Sequence, residues 1–488
     1  MKSTTSKTLK IFWQHAWKYK YKVLLLSMGI ILVELLQIYT PLLYRDLFNL
    51  LGGNTGAQTF GAVKNLIYLI LILNLLRIAL WRVHNFLNNY FQPAVMADLT
   101  NSCYQYLQKH SMDFFSGSFV GSLVTKVKRY EKSFEVIADQ IYYDLGRSIL
   151  DTGIILSVLF WQYQKFAVVI FIWCIFYFLF AYKFSVYKLP WDIKRAAADS
   201  LTTAQLADSI TNNSNIKLFS SYSFENSRFY QVTKNQYDLR KKSWDLGTIG
   251  DIVQSTAMIL LEFGIIFWAV IDWTNGKLLV GDIVLLQAFI YRISDKLWNT
   301  GKNIRSIYEA LADANEMTEI LTTPHEVADH SEKMLSVHSG EIEFKKVNFQ
   351  YKNGNKVLTN FNLKINSKEK IAIIGPSGGG KTTFVKLLVR FVDINKGKIL
   401  IDGQDISQVS QDSLRNAISF VPQEPVLFHR SLMENIKYAK PEATEKEVIS
   451  AAKLAHAHEF ISGLNGGYAA LVGERGIKLC YRSVFSSF

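Results

Sequence analysis

Cysteine and negative charge are both scarce in this chain. Its 488 residues hold three cysteines, Cys103, Cys174 and Cys480, an odd number at spacings that match no zinc site. Neither a disulfide framework nor a structural metal is therefore expected, and the thiols read as buried or incidental. Charged residues make up 19% of the chain, against about 25% in soluble domains, while 49% is hydrophobic. That balance excludes a disordered, collagenous or disulfide-scaffold protein. Acids are the rarer sign, 41 Asp and Glu against 54 Lys and Arg, for a net charge of +13. A basic excess can serve nucleic acid, anionic lipid or the orientation of a membrane protein, and the position of the charges decides among them.

What the chain has in quantity is long apolar runs, all before about residue 300. Six stretches reach the roughly 20 helical residues that cover about 30 Å of hydrocarbon. They lie near 23–43, 62–82, 142–161, 164–183, 250–271 and 278–298, the third and sixth being less apolar. The leader carries Lys2, Lys7, Lys10, Lys18, Lys20 and Lys22 with no acid, which places the N-terminus in the cytoplasm. The connections near 44–61, 162–163 and 272–277 are poor in Lys and Arg and fall outside. Those near 83–141 and 184–249 carry Lys126, Lys128 and Arg129, and Arg240, Lys241 and Lys242, and fall inside. The positive excess is thus mainly topological, and no nucleic-acid partner is expected.

The first span has no cleavage pattern after it and reads as a retained anchor. Ahead of it, aromatic and basic residues including Trp13 and Trp17 suit a helix lying in the headgroup layer; an extended, solvated leader is the alternative. Both inner connections read as helix, since Leu123, Val124, Val127, Phe134, Ile137 and Ile141 recur at helical spacing. Each is broken once by turn residues, at 116–121 and 211–215. Within or near the spans lie Glu34, Arg77, Arg147, Asp151 and Glu262. Arg147 and Asp151 are four residues apart, as in a helix-surface pair. Arg77 can snorkel, and Glu262 fits a cavity.

The texture changes near Thr323-Pro324. After a polar linker, 323–340, short alternating runs appear at 341–344 and 357–365. The run Lys370–Ile374 reads as a buried strand entering Gly375-Pro376-Ser377-Gly378-Gly379-Gly380-Lys381-Thr382, and a helix-like Thr383–Leu388 follows. This is a phosphate-binding loop in its required strand–loop–helix setting. Glycines let backbone amides turn inward around phosphate oxygens, and the helix N-terminus adds partial positive charge. Lys381 is expected to reach the β- and γ-phosphates of ATP, and the Thr382 hydroxyl to coordinate Mg²⁺.

Six spans around two long inner loops, followed by a P-loop domain, resemble an ABC exporter half-transporter over nearly everything to Leu479. The fold implied is an all-α polytopic membrane domain of six helices followed by an α/β P-loop domain. The corresponding segments are a leader 1–22, a membrane domain 23–322, a linker 323–340, the N-terminal part of the ATPase domain 341–479 and a tail 480–488. Further positions match the family's motifs. Tyr351 resembles the aromatic that stacks on adenine. Gln423 resembles the glutamine that senses Mg²⁺ and links nucleotide to the membrane helices. Gly473-Glu474-Arg475-Gly476 is similar to the exporter segment that contacts the inner loops, and the breaks near 113–121 and 211–219, with Phe115, Gly117, Gly121, Leu218 and Phe219, match the coupling helices. The resemblance implies a homodimer or heterodimer in the inner or plasma membrane, moving an unidentified substrate outward with ATP.

After Leu479 the family continues with a Ser-Gly-Gly-Gln signature, whereas this sequence reads Cys480-Tyr481-Arg482-Ser483 and ends at Phe488. The signature, the Mg²⁺-site aspartate, the catalytic glutamate and the switch histidine have no match, so no catalytic residue is assigned. The expectation is a truncated chain unable to hydrolyse ATP alone, with an unpaired apolar edge at Ile371–Ile374. The alternative is a non-transporting, ATP-binding regulator or dominant-negative partner of full-length transporters.

Overall fold

The computed structural model describes residues 2–53, 57–117, 120–298, 300–329, 331–351, 354, 356–376, 378–422 and 427–472. The chain divides into two compact units, residues 1–326 and 327–488.

The first unit is all helix. In order it comprises α1 (Lys2–Trp17), α2 (Lys20–Leu51), α3 (Ala57–Gln108), α4 (Met112–Ser116) and α5 (Val120–Asp139). A π-helical turn (Gln140–Gly146) leads into α6 (Arg147–Gln162), α7 (Gln164–Thr211), α8 (Asn213–Leu218), α9 (Tyr222–Thr274), α10 (Val280–Trp298) and α11 (Thr300–Thr322). The predicted spans 23–43, 62–82, 164–183 and 250–271 each fall within one of four helices long and apolar enough to cross a membrane. Those at 142–161 and 278–298 fall on the π turn with α6 and on α10. These are the helices whose apolar runs are interrupted by Arg147 and Asp151 and by Arg292 and Asp295. The inner connections are continuations of α3, α5, α7 and α9, so the same helices carry chain through and beyond the bilayer.

Packing explains which faces are apolar. Ile38, Ile155, Leu159, Phe166, Ile170, Ile265, Leu285 and Phe289 form one buried cluster joining α2, α6, α7, α9 and α10. A second joins Phe12 of α1, Val95 and Leu99 of α3, Phe134 of α5, and Ala314 and Met317 of α11. Leu71, Ile72 and Leu75 of α3 stay exposed, an apolar face of the kind that a membrane or another protein covers. The leader is helical, and it is also docked. Phe12 packs on Tyr130 and Phe134 at centroid distances of 4.9 and 5.5 Å, while Trp13 and Trp17 stack on each other on the exposed side.

The second unit contains β1 (Ile342–Gln350), β2 (Lys356–Ile365), α12 (Lys381–Leu388), β3 (Lys396–Ile401), β4 (Gln404–Asp405), α13 (Gln411–Asn416), α14 (Leu432–Lys437), α15 (Glu445–Leu454) and α16 (His458–Ser462). Its sheet is antiparallel in the order β2-β1-β3-β4, with Phe344 opposite both Leu363 and Ile399. One face covers a core of Phe344, Val347, Phe349, Ile399 and Ile401, into which α12 inserts Phe384 and Leu387. Two anchors close this core. Arg390, 1% exposed, donates to Asp393, to Asp329 and to the carbonyls of Ala328, Ile406 and Val409. Asp402 accepts from the amides of His338, Ser339, Gly340 and Glu341 and from the Ser339 hydroxyl. That hydroxyl bond and the amides of Gly340, His338 and Ser339 hold its carboxyl well below the usual range.

The strand expected at Lys370–Ile374 is absent from this sheet. These residues pair with no strand among the described residues, and Ile374 is 93% exposed. A β-strand is defined by its neighbours, so an apolar run without one remains extended chain.

Candidate functional site

The phosphate-binding loop is held by the helix behind it. Phe384 stacks on Phe344 at 4.5 Å, which fixes α12 on the sheet and its N-terminus towards solvent. Gly380 caps that end at φ 85° without any side-chain cap, and a Cβ there would stand 2.8 Å from Val357 Cγ1. Gly378 also has a positive φ, of 80°, so the chain reverses through a conformation that glycine alone enters without strain. The first helical bond of α12 runs from the Phe384 amide to the Gly380 carbonyl at 2.9 Å. The amides of Lys381, Thr382 and Thr383, ahead of it, are the orphan donors of a helix start, and the helix dipole favours an anion there. This donor set fits a polyphosphate.

Side chains around the loop fit the same ligand. Lys381 Nζ donates to the carbonyls of Gly375 at 2.7 Å and Pro376 at 2.8 Å, so the ammonium lies against the loop. Thr382 is exposed and Thr383 buried, which leaves the Thr382 hydroxyl free to meet a metal ion accompanying the phosphates. Gly379 donates to the Pro376 carbonyl at 3.1 Å and closes the turn. Tyr351 is brought to the same place, its hydroxyl 3.2 Å from Thr383 Oγ1 and its ring edge-on to Phe349 at 4.8 Å. Ser377, Gln423, Glu474 and Arg475 lie outside the described residues.

In the membrane unit the structure corrects one pairing and adds one residue. Arg147 does not pair with Asp151; it pairs with Glu34 of α2 and also donates to Gln37 at 3.1 Å. Asp151 is claimed by Arg292 of α10, which reaches both its oxygens at 2.6–2.9 Å and Glu34 at 2.7 Å. The pairing crosses three helices because α6 turns Asp151 into the core, where it is 0% exposed. Arg292 also donates to the Gln37 carbonyl at 3.2 Å. Pro41, four residues on, has no amide to occupy that carbonyl. The sequence did hold a signal for Arg292, since two buried acids in apolar spans require two cations. Glu262 is half-buried and meets Gln287 at 3.5 Å. Arg77 lines a cavity of about 330 Å³ with Gln37, Thr40, Tyr44 and Asn74.

The two segments matched to coupling helices are both short helices. In α4, Ser111 caps the N-terminus by accepting from the Phe114 amide at 3.3 Å, Phe115 is half-buried and Gly117 caps the other end. Gly121 is exposed in the first turn of α5. Leu218, which ends α8, and Phe219 are each 78% exposed. Cys103 is buried, and desolvation pushes its thiol up to about 12, which makes it a poor nucleophile. Cys480 lies outside the described residues.

A bundle of apolar, membrane-length helices followed by a P-loop domain defines a multi-span membrane protein that carries a nucleotide-binding domain. The ABC transporter transmembrane region matches residues 23–294 and the ABC transporter domain matches 358–473. The chain belongs to the ABC transporter family. It is 31% identical over 390 residues to an ATM1-type heavy metal exporter of Novosphingobium aromaticivorans, covering 78% of this chain and 63% of that one. It is 29% identical over 454 residues to ATP-binding cassette sub-family B member 6 of Xenopus tropicalis, covering 90% and 50%. It is 27% identical over 486 residues to the mitochondrial iron-sulfur clusters transporter atm1 of Neurospora crassa, covering 96% and 67%. The chain thus spans between half and two thirds of these relatives. Its fold matches a bacterial Atm1-family ABC exporter with ATP bound, with a TM-score of 0.80 and 27% identity over 94% of this chain and 81% of that one.

Proposed function

We propose that the chain binds Mg·ATP at its P-loop and serves as one half of a dimeric, ATP-driven exporter of Atm1 type in a cell membrane. The observation that carries this reading is the uncapped, glycine-turned start of α12, with Lys381 beside it, following a membrane-length helical unit. Tyr351 would stack on adenine and Thr382 would hold Mg²⁺, with Gln423 completing the metal's surroundings. The other P-loop positions, Gly375 to Thr383, would cradle the phosphates. These groups bind and orient the nucleotide; the signature and the water-activating carboxylate used in the family's hydrolysis are not among the positions matched here. Phe115, Gly117, Gly121, Leu218 and Phe219, with Glu474 and Arg475, take the coupling role. The exposed apolar pair Leu218-Phe219 supports that role, because such a pair at a helix end calls for a covering surface.

The cargo class we infer is a polar, metal-bearing or anionic molecule. The names of the relatives point to heavy metals and iron–sulfur clusters. The 330 Å³ cavity with Arg77, Asn74 and Gln37 supplies a cation and amides within apolar helices, a composition that orients a polar ligand. Uptake of metal–thiol conjugates into inside-out vesicles containing the protein tests this. Uptake that requires ATP and is abolished by Lys381→Ala is expected when the vesicles also contain a half-transporter that supplies the signature and the water-activating carboxylate. ATP binding without any uptake would instead support a nucleotide-binding regulator or a partner of another half-transporter.

A further inference from the structure

The cytoplasmic ends of the second and third spans enclose a polar cavity of about 680 Å³ between α3 and the π turn. Gly146 permits that turn, since a Cβ there would stand 2.7 Å from the Ile141 carbonyl. Widened helical turns of this kind recur at functional sites because they re-aim side chains. Here the turn and the residue before it set Asp139, Gln140 and Asp144 along one wall, while α3 supplies Arg82, Asn85 and Asn88 on the other.

The first wall is made of acceptors that the protein leaves largely unused. Asp139 accepts from Gln92 Nε2 at 3.1 Å, and among the described residues neither Asp139 nor Asp144 has an ion-pair partner within 4.0 Å. Gln140 Oε1 is buried and has no hydrogen-bond partner. Two carboxylates and an orphaned amide oxygen call for a cation that donates N–H. Arg82, exposed and likewise without an ion pair among the described residues, calls for an anion.

A second cavity, about 220 Å³ and almost wholly apolar, adjoins the first and shares Asn88, Gln92, Asp139 and Tyr143 with it. It is lined by Leu9 and Trp13 of α1, Val23 and Leu26 of α2, and Ile141. Both lie where the second span ends and the third begins, at the level of the exposed Trp13–Trp17 stack. Tryptophan in that setting marks the headgroup layer of the cytoplasmic leaflet.

We propose that the joined cavities bind one amine-bearing zwitterionic phospholipid of the cytoplasmic leaflet. Its ammonium is held by Asp139, Asp144 and Gln140, its phosphate by Arg82, and an acyl chain lies in the apolar groove. A choline headgroup has no N–H to give to Gln140 and the carboxylates. A glycerol headgroup brings no cation at all.

The test is native mass spectrometry of the full chain released from nanodiscs containing equal parts of ethanolamine, choline and glycerol phospholipids. One ethanolamine lipid per chain is expected to be retained at about tenfold or more over the other two, the factor for losing one close charge contact. Asp144→Asn should remove most of that preference with its melting temperature unchanged, because the Asp144 carboxylate has no ion-pair or hydrogen-bond partner to lose among the described residues. Arg82→Gln should weaken retention of ethanolamine lipid. Soluble glycerophosphoethanolamine should fail to displace the lipid, since it cannot fill the apolar groove. Equal retention of the three lipids, an ethanolamine preference that survives Asp144→Asn in folded protein, or displacement by the soluble headgroup would each overturn the assignment.

Discussion

Replacing Arg292 by Gln should destabilise the membrane unit as much as the costliest apolar truncations in the same helices. Arg292 donates to Asp151 through Nε and Nη2, to Glu34 through Nη2 and to the Gln37 carbonyl through Nη1. Glu34 and Asp151 are 1% and 0% exposed. Removing one partner of a buried ion pair costs roughly 3–5 kcal/mol because the other charge stays behind unpaired. Two acids depend on this arginine, although Arg147 still serves Glu34, so the upper half of that range is expected. At about 2 °C per kcal/mol for a unit of this size, the melting temperature should fall by roughly 8–10 °C. The double variant Arg292→Gln/Asp151→Asn removes the charge together with its counter-charge and should recover more than half of the loss, a coupling of about 2 kcal/mol or more. Thermal unfolding in nanodiscs, followed by tryptophan fluorescence, measures both. A single variant that melts with the wild type, or a double variant no better than the single, would refute the reasoning that Arg292, Glu34 and Asp151 are coupled in one buried network.

The nucleotide unit supports two further tests. Arg390→Met keeps the apolar stem but strands the carbonyls of Ala328, Ile406 and Val409, and should cost about 3–5 kcal/mol, read as faster proteolysis within residues 327–472 of the full chain. Asp402→Asn should destabilise by a constant amount above about pH 5, because the folded carboxyl titrates below its unfolded value near 3.9. That difference should shrink progressively as pH falls below about 4, where the unfolded wild-type chain takes up a proton that the folded carboxylate still refuses; denaturant unfolding at pH 7, 5 and 3.5 measures it.

The helices and the phosphate loop were legible in the sequence because each depends on local pattern. Apolar length marks a span, and a glycine-rich turn between strand and helix marks the loop, whatever lies around them. The charge cluster was not legible in the same way. Asp151 sits four residues from Arg147, yet its partner is Arg292, 141 residues away. Helical spacing offered a pair, and burial of Asp151 chose another. The π turn escaped for a related reason, since Ile141 to Gly146 carries an ordinary helical composition and only the close approach at Gly146 shows why the turn widens. Ile371–Ile374 was read as a strand from its apolar run, but a run of that kind specifies only a tendency, and the pairing that completes a strand is supplied by other residues. The docked leader combines both cases: its aromatic and basic content marked an interfacial helix, while Phe12 on Tyr130 and Phe134 is a tertiary contact that periodicity alone does not assign.

The central claim is that the loop from Gly375 to Thr383 binds Mg·ATP, and equilibrium binding of a fluorescent ATP analogue to the full chain tests it most directly. Saturable, Mg²⁺-dependent binding is expected. Lys381→Ala should weaken it roughly tenfold to a hundredfold, the loss of one charge-assisted contact worth about 1.5–3 kcal/mol. Binding that Lys381→Ala leaves unchanged, or no saturable binding by the folded wild type, would contradict the account.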